Sequence, residues 1–88
     1  MDKDKILKLF SLKGEVAIVT GGGGDLGVKH IVILRSAGAK TVSFDLTKNK
    51  RLEKIADQVL VDISDRTAVE QAVKQVIKKY GRVDILIN

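Results

Sequence analysis

The sequence predicts an α/β domain, a parallel sheet flanked by helices in the order β-α-β-α-β-α-β. Three observations carry that reading. The apolar run Val16-Ala-Ile-Val19 has strand length and leads through Thr20 into the glycine run Gly21–Gly24, after which a helical pattern begins at once. Further apolar runs of strand length alternate with helical patterns along the rest of the chain. The connections are short, so successive strands lie parallel with right-handed crossovers. The first loop also carries the spacing Gly22-x-Gly24-x-x-Gly27. That spacing allows a sharp turn, close approach of the backbone to a pyrophosphate and tight packing of helix on strand. The unpaired N–H groups and positive dipole end of the new helix point at the same place.

Residues 1–14 read as a lead-in. Met1–Phe10 has the pattern of one or two helical turns with Ile6, Leu9 and Phe10 on one side, and Ser11–Gly14 turns into the first strand. Residues 15–88 then form a partial dinucleotide-binding domain. Glu15–Thr20 is strand one, continuously apolar as a strand buried on both faces should be. Helix one runs from Leu26 to Ala37 and closes on Gly38 as a left-handed cap. Its apolar residues exceed one stripe, so it calls for more than one neighbour. Lys40–Asp45 is strand two and ends in an acid. Thr47–Gln58 reads as a charged helix or half-helix with Leu52, Ile55 and Ala56 inward, followed by Val59–Val61 as a short third strand. Ser64 and Asp65 cap a third helix, in which Ala68, Ala72, Val76 and Tyr80 recur at helical spacing until Gly81. Val83–Ile87 is the fourth strand, and Asn88 follows it.

Composition narrows the function. The 88 residues make one small domain. A net charge of +5 raises nucleic acid as a partner, but the lysines are dispersed. Phe10, Phe44 and Tyr80 are the only aromatic residues, too few for base stacking, so the charge reads as a solvated surface and nucleic acid is set aside. Without cysteine there is no disulfide framework and no thiolate metal site. No apolar stretch approaches the ~20 residues that span a membrane, and the N-terminal apolar residues are too interrupted for a signal sequence. The expected location is cytoplasmic.

Several ordered motifs resemble the short-chain dehydrogenase/reductase family. They are Phe10-Ser-Leu-Lys-Gly-x-Val-Ala-Ile-Val-Thr-Gly21, Ala37-Gly-Ala39 before strand two, Asp45 after it, Val61-Asp-Ile-Ser-Asp65, and Tyr80-Gly-Arg-Val-Asp-Ile-Leu-Ile-Asn88. The resemblance implies a Rossmann-type sheet of order 3-2-1-4, truncated after its fourth strand. It implies hydride transfer between a nicotinamide and an alcohol or ketone carbon in the complete enzyme. The family's catalytic Ser and its Tyr-x-x-x-Lys pair have no counterpart here, so no catalytic residue is assigned and the chain alone is expected to be inactive. Tyr80 has Asp84, not lysine, four residues on, and reads as a helix-end packing residue. One departure falls in the glycine loop. The family pattern Thr-Gly-x-x-x-Gly-x-Gly is met by Thr20, Gly21 and Gly27, but Asp25 stands at the middle glycine. Two unit charges ~4 Å apart cost roughly 4 kcal/mol at an effective dielectric of ~20, less if the side chain points to water. Against that repulsion, an acid caps the start of a helix, which stabilises it by about 0.5–2 kcal/mol.

The candidate cofactor-binding residues are therefore Gly21, Gly22, Gly23, Gly24, Leu26 and Gly27 of the loop, with Asp45, Asp62, Ile63 and Asn88. Asp45 lies at about the 20-residue distance expected of an acid that bonds the adenosine ribose hydroxyls. It would repel a 2′-phosphate, so NAD is expected over NADP, a preference that Lys48, Lys50 and Arg51 soften. Its plainer reading is a strand-end turn aspartate. The resemblance places Asp62 on the adenine amino group, Ile63 on the ring face and Asn88 near the cofactor ribose; a turn-and-cap acid is the other reading of Asp62. His30, the only histidine, reads as a surface residue, with no metal-ligand partner nearby in sequence. The alternative function is a non-catalytic module. Val83–Ile87 lacks a further strand beside it, and that apolar edge is expected to drive homo-oligomerisation.

Overall fold

Alternate residues of the first strand serve opposite faces of the sheet. Val16 and Ile18 enter one apolar cluster and Val19 the other, which is why the run is apolar throughout. The computed structural model describes residues 2, 3, 5 and 9–88. Its elements are β1 (Val16–Thr20), α1 (Asp25–Ser36), β2 (Lys40–Asp45), a 3₁₀ turn (Lys50–Leu52), β3 (Asp57–Leu60), α2 (Arg66–Tyr80) and β4 (Ile85–Ile87). The strands form one sheet of order β3-β2-β1-β4 with every pairing parallel. Ile18 pairs with Val42 on one side and Leu86 on the other. This is the order that the resemblance implies.

α1 lies on one face, where Val28 and Ile31 bury against Val19 and Leu52. α2 lies on the other, where Ala72 and Val76 bury against Val16, Ile18, Val42 and Phe44. Asp65 caps α2, its carboxylate accepting the Ala68 N–H at 3.2 Å, and Gly81 ends it at φ 82°. Ser64 does not cap; its N–H and hydroxyl both turn back to Asp62. α1 starts one residue earlier than Leu26, with Gly24 at its N-cap and Gly38 beyond its end at φ 107°. The second neighbour that its apolar circumference calls for is not supplied by the described residues, and Leu26, Val32 and Ile33 face solvent.

The segment Thr47–Gln58 departs most from its reading. Helix is confined to Lys50–Leu52, and Asp57 and Gln58 already belong to β3, paired with Val42 and Ser43. The cause is local. Asn49 caps the turn by accepting the Arg51 N–H at 2.9 Å. The Gln58 side chain accepts the Asn49 N–H at 2.7 Å and donates to its carbonyl at 3.1 Å. That two-way bond holds both ends of the segment together. Leu52, Ile55 and Ala56 still face inward as expected, with Leu52 fully buried. β4 is shorter than Val83–Ile87 because Asp84 leaves the ladder. Its carboxylate takes the Val16 N–H at 2.8 Å, and its N–H donates to the Val16 carbonyl at 2.9 Å.

In the lead-in, the Leu12 N–H bonds the Ala37 carbonyl at 2.7 Å and so ties the segment beneath the sheet. Leu9 and Phe10 face solvent, so they do not form a packed side, while Ile6 of that expectation lies outside the described residues.

Candidate functional site

The glycine turn joins β1 to α1 at the carboxyl ends of the strands. Gly21 adopts φ 66°, the left-handed region where a side chain is strained. Its N–H bonds the Phe44 carbonyl of β2 at 2.8 Å, and its own carbonyl accepts the Gly24 N–H at 3.0 Å. Gly27 is buried against this turn. A Cβ there would collide with the Gly21 carbonyl oxygen and lie 2.7 Å from Gly22 Cα. A Cβ on Gly22 would collide with the Ser43 hydroxyl, and one on Gly23 would lie 2.9 Å from Asp45 Oδ2. Gly24 differs, because a Cβ there meets only the Gly21 carbonyl at 3.4 Å. The chain's own packing demands glycine at 22 and 27, whereas at Gly24 a Cβ would make only ordinary contact.

A glycine that packing does not require keeps the backbone accessible, and its neighbours carry unpaired donors. Asp25, Leu26 and Gly27 form the first turn of α1, where N–H groups have no intrahelical acceptor. They carry the positive end of the helix dipole, which attracts anions. Asp25 does not cap the helix: Gly24 holds the cap position and no side-chain cap bond is made. Its side chain is 96 % exposed and pairs with Arg51 at 3.1 Å. A carboxylate so exposed is screened by water, so the repulsion of an anion at the turn falls far below the figure for ~4 Å at a dielectric of ~20.

Asp45 ends β2 beside the turn. Its Oδ2 accepts the Gly23 N–H at 3.0 Å and its Oδ1 the Leu46 N–H at 2.7 Å. The acid is thus fixed at the rim of the glycine turn, and the strand-end turn and the turn-facing roles coexist in one side chain. Asp62 is exposed in the loop after β3. The Ser64 hydroxyl, with its backbone N–H, holds the Asp62 carboxyl below the usual carboxylate range. Ile63 is exposed and lines an apolar hollow of about 340 Å³ with Phe44, Val73, Leu86 and Asn88 on the α2 face. Asn88 follows β4, and its side-chain oxygen lies 3.1 Å from the Thr20 hydroxyl at the end of β1. Gly21–Gly27 and Asp45 therefore meet in one place, Asn88 reaches β1 through Thr20, and Asp62 is turned into its own loop. His30 is half-buried on α1, and its side chain makes no hydrogen bond among the described residues.

Asn49 and Ser43 carry structural signals that the motif reading passes over. The Asn49 amide donates to the Gly23 carbonyl at 2.8 Å. Ser43 is buried beneath Gly22 with its hydroxyl unpartnered among the described residues. An Asn before Lys-Arg-Leu is a cap signal, and it was available in the sequence.

The family model of the short chain dehydrogenases matches residues 15–88. The chain belongs to that family. A short chain dehydrogenase/reductase of Aspergillus oryzae, astE, is 35 % identical over 89 residues, covering 90 % of this chain and 34 % of the relative. The crystal structure of 2-keto-3-deoxy-D-gluconate dehydrogenase from Streptococcus agalactiae superposes with a TM-score of 0.86 at 28 % identity, covering 98 % of this chain and 36 % of that one. An NAD+-bound xylitol dehydrogenase superposes with a TM-score of 0.75 at 27 % identity, covering 84 % of this chain and 32 % of that one. The chain spans about a third of the length of the curated relatives it matches. Among the described residues, no helix is long and apolar enough to cross a membrane.

Proposed function

We propose that residues 15–88 are the NAD-binding portion of an oxidoreductase of the cytoplasm, with residues 1–14 as a lead-in. The observation that carries this reading is the glycine turn seated beside Asp45. Gly27 has no room for a side chain, packing alone does not require glycine at 24, and Asp45 is bonded to Gly23 at the rim. In this reading the N–H groups of Asp25, Leu26 and Gly27 receive the pyrophosphate, and the free lone pairs of Asp45 accept ribose hydroxyls. Ile63 packs on adenine and Asp62 bonds its amino group, while Asn88 lies near the cofactor ribose. A bound nicotinamide dinucleotide supplies the hydride chemistry of an alcohol or ketone conversion. The residues of this chain bind and orient; none of them is placed to move the proton of that reaction. Calorimetry with NAD and with NADP is the test. Saturable NAD binding, weaker for NADP because Asp45 repels a 2′-phosphate, is expected; no heat with either dinucleotide contradicts the reading.

A second reading rests on β4. Among the described residues β4 pairs with β1 alone, and Leu86 is exposed on it. An unpaired apolar edge is a template for a second strand. Self-association of this chain through β4 predicts a dimer or larger species by light scattering, and a strictly monomeric species at high concentration counts against it.

A further inference from the structure

We propose that Asn49 is a positioning residue for the glycine turn, holding the Gly23 peptide from outside the glycine motif. The inference rests on the dinucleotide reading above and assigns a role to a residue with no place in it.

Both polar groups of the Gly23 residue are held from the β2 side. Its N–H donates to Asp45 Oδ2 at 3.0 Å, and its carbonyl accepts from Asn49 Nδ2 at 2.8 Å. Those two bonds set the orientation of the chain between Gly22 and Gly24, where a phosphate approaches. Asn49 is itself immobilised on every side. Its Oδ1 accepts the Arg51 N–H at 2.9 Å. Its backbone N–H and carbonyl are both bonded by the Gln58 side chain, at 2.7 and 3.1 Å. Its carbonyl also accepts the Leu52 N–H at 3.0 Å, and Leu52 is a fully buried anchor. The anchored path thus runs from the core through Leu52 and Gln58 to Asn49, and from Asn49 to Gly23.

The chemistry of this position selects asparagine. The side chain must present an acceptor to Arg51 and a donor to Gly23 at the same time, which an amide does. Aspartate retains the acceptor and sets a second oxygen against the Gly23 carbonyl. Serine is a good cap but too short to reach that carbonyl. Both substitutions therefore keep the 3₁₀ turn capped and remove the hold on Gly23. Net hydrogen-bond values of about 0.5–1.5 kcal/mol correspond to roughly two- to tenfold in an equilibrium constant.

The experiment takes the full chain, Asn49→Ser and Asn49→Asp, and measures three quantities. They are the melting temperature, the amide exchange rate of Gly23 by NMR, and the NAD dissociation constant by calorimetry. In both variants the expected result is Gly23 exchange faster by roughly two- to tenfold, NAD binding weaker by a similar factor, and a melting temperature lowered by no more than about 10 °C, so that the fold persists. A merely structural role lowers the melting temperature by a similar amount but leaves NAD affinity unchanged, and unchanged NAD affinity in both variants overturns the proposal. Unchanged Gly23 exchange in both variants overturns it as well. Wild-type chain that binds no NAD instead overturns the dinucleotide reading, whatever Gly23 exchange shows, and so separates the two failures.

Discussion

The two ends of the sheet use their charged side chains in opposite ways. At the amino ends of the strands, charges pair with one another. Asp57 accepts from Lys79 at 2.6 Å and from the Tyr80 hydroxyl, and Asp84 is clasped by the Arg82 guanidinium at 2.6 and 2.8 Å. The Lys79 ammonium, then the Tyr80 hydroxyl, hold the Asp57 carboxyl below the usual range, and Arg82 does the same to Asp84 ahead of the Val16 N–H. At the carboxyl ends, Asp45 pairs with no cation among the described residues and is held by backbone N–H groups, next to a turn built from glycine. A hollow of about 480 Å³ lies beside Asp57, and there Asp57, Lys79 and Tyr80 already satisfy one another. The glycine turn is the more open chemistry. Ion pairs at the end of α2 and just before β4 buttress the amino end of this domain, and the unpaired N–H groups at the start of α1 mark the end suited to an anion.

The largest way to break the contrast is Gly27→Ala. Its Cβ has no room against the Gly21 carbonyl, and backbone cannot yield as a side chain does. The expected loss is about 3 kcal/mol of stability together with dinucleotide binding, read by denaturant unfolding and calorimetry. Asp57→Asn comes next, weakening the opposite end alone. The pair is more than a third exposed, so solvent screening limits the loss to about 1 kcal/mol, and NAD affinity is expected to hold. The depressed carboxylates Asp57 and Asp84 also contribute to the acid limit. A carboxyl with a lowered folded pKa contributes stability above its unfolded value, about 4, and loses it as the pH falls through the folded value. Unfolding followed from pH 7 downward should show constant contributions from Asp57 and Asp84 to about pH 5 and a decline below about 4. An acid limb unchanged in the double variant Asp57→Asn, Asp84→Asn would contradict this assignment. The smallest effect is expected of Asp25→Gly. Removing an exposed charge beside the phosphate turn should tighten NAD binding about two- to fivefold at low salt, with the gain shrinking as salt rises.

Legibility in the sequence followed the range of the forces involved. β1, β2, the glycine turn and α2 announce themselves through local patterns: an apolar run, a glycine spacing, a helical repeat from Ala68 to Tyr80 closed by Gly81. Their strand order followed from crossover handedness and the family motifs. Asp45 was legible from its distance along the chain. The segment after it was not, because Leu52, Ile55 and Ala56 satisfy a helical pattern and a capped 3₁₀ turn equally. What decides between them is the pairing of Gln58 with Asn49 and of Asp57 with Val42, contacts that a local pattern does not encode. The same applies to the short β4, where Asp84 trades the ladder for the Val16 N–H. Asn49 stayed hidden for a related reason, since its partner Gly23 lies across the turn and not beside it in sequence.

An NMR titration of the wild-type chain with NAD tests the central claim most directly, because each amide reports for its own end of the sheet. The account predicts saturable shifts at the amides of Gly21–Gly27, Leu46 and Ile63, with Val16, Asp57 and Asp84 unmoved. Shifts confined to the amino ends, or no shifts at millimolar NAD, would contradict it.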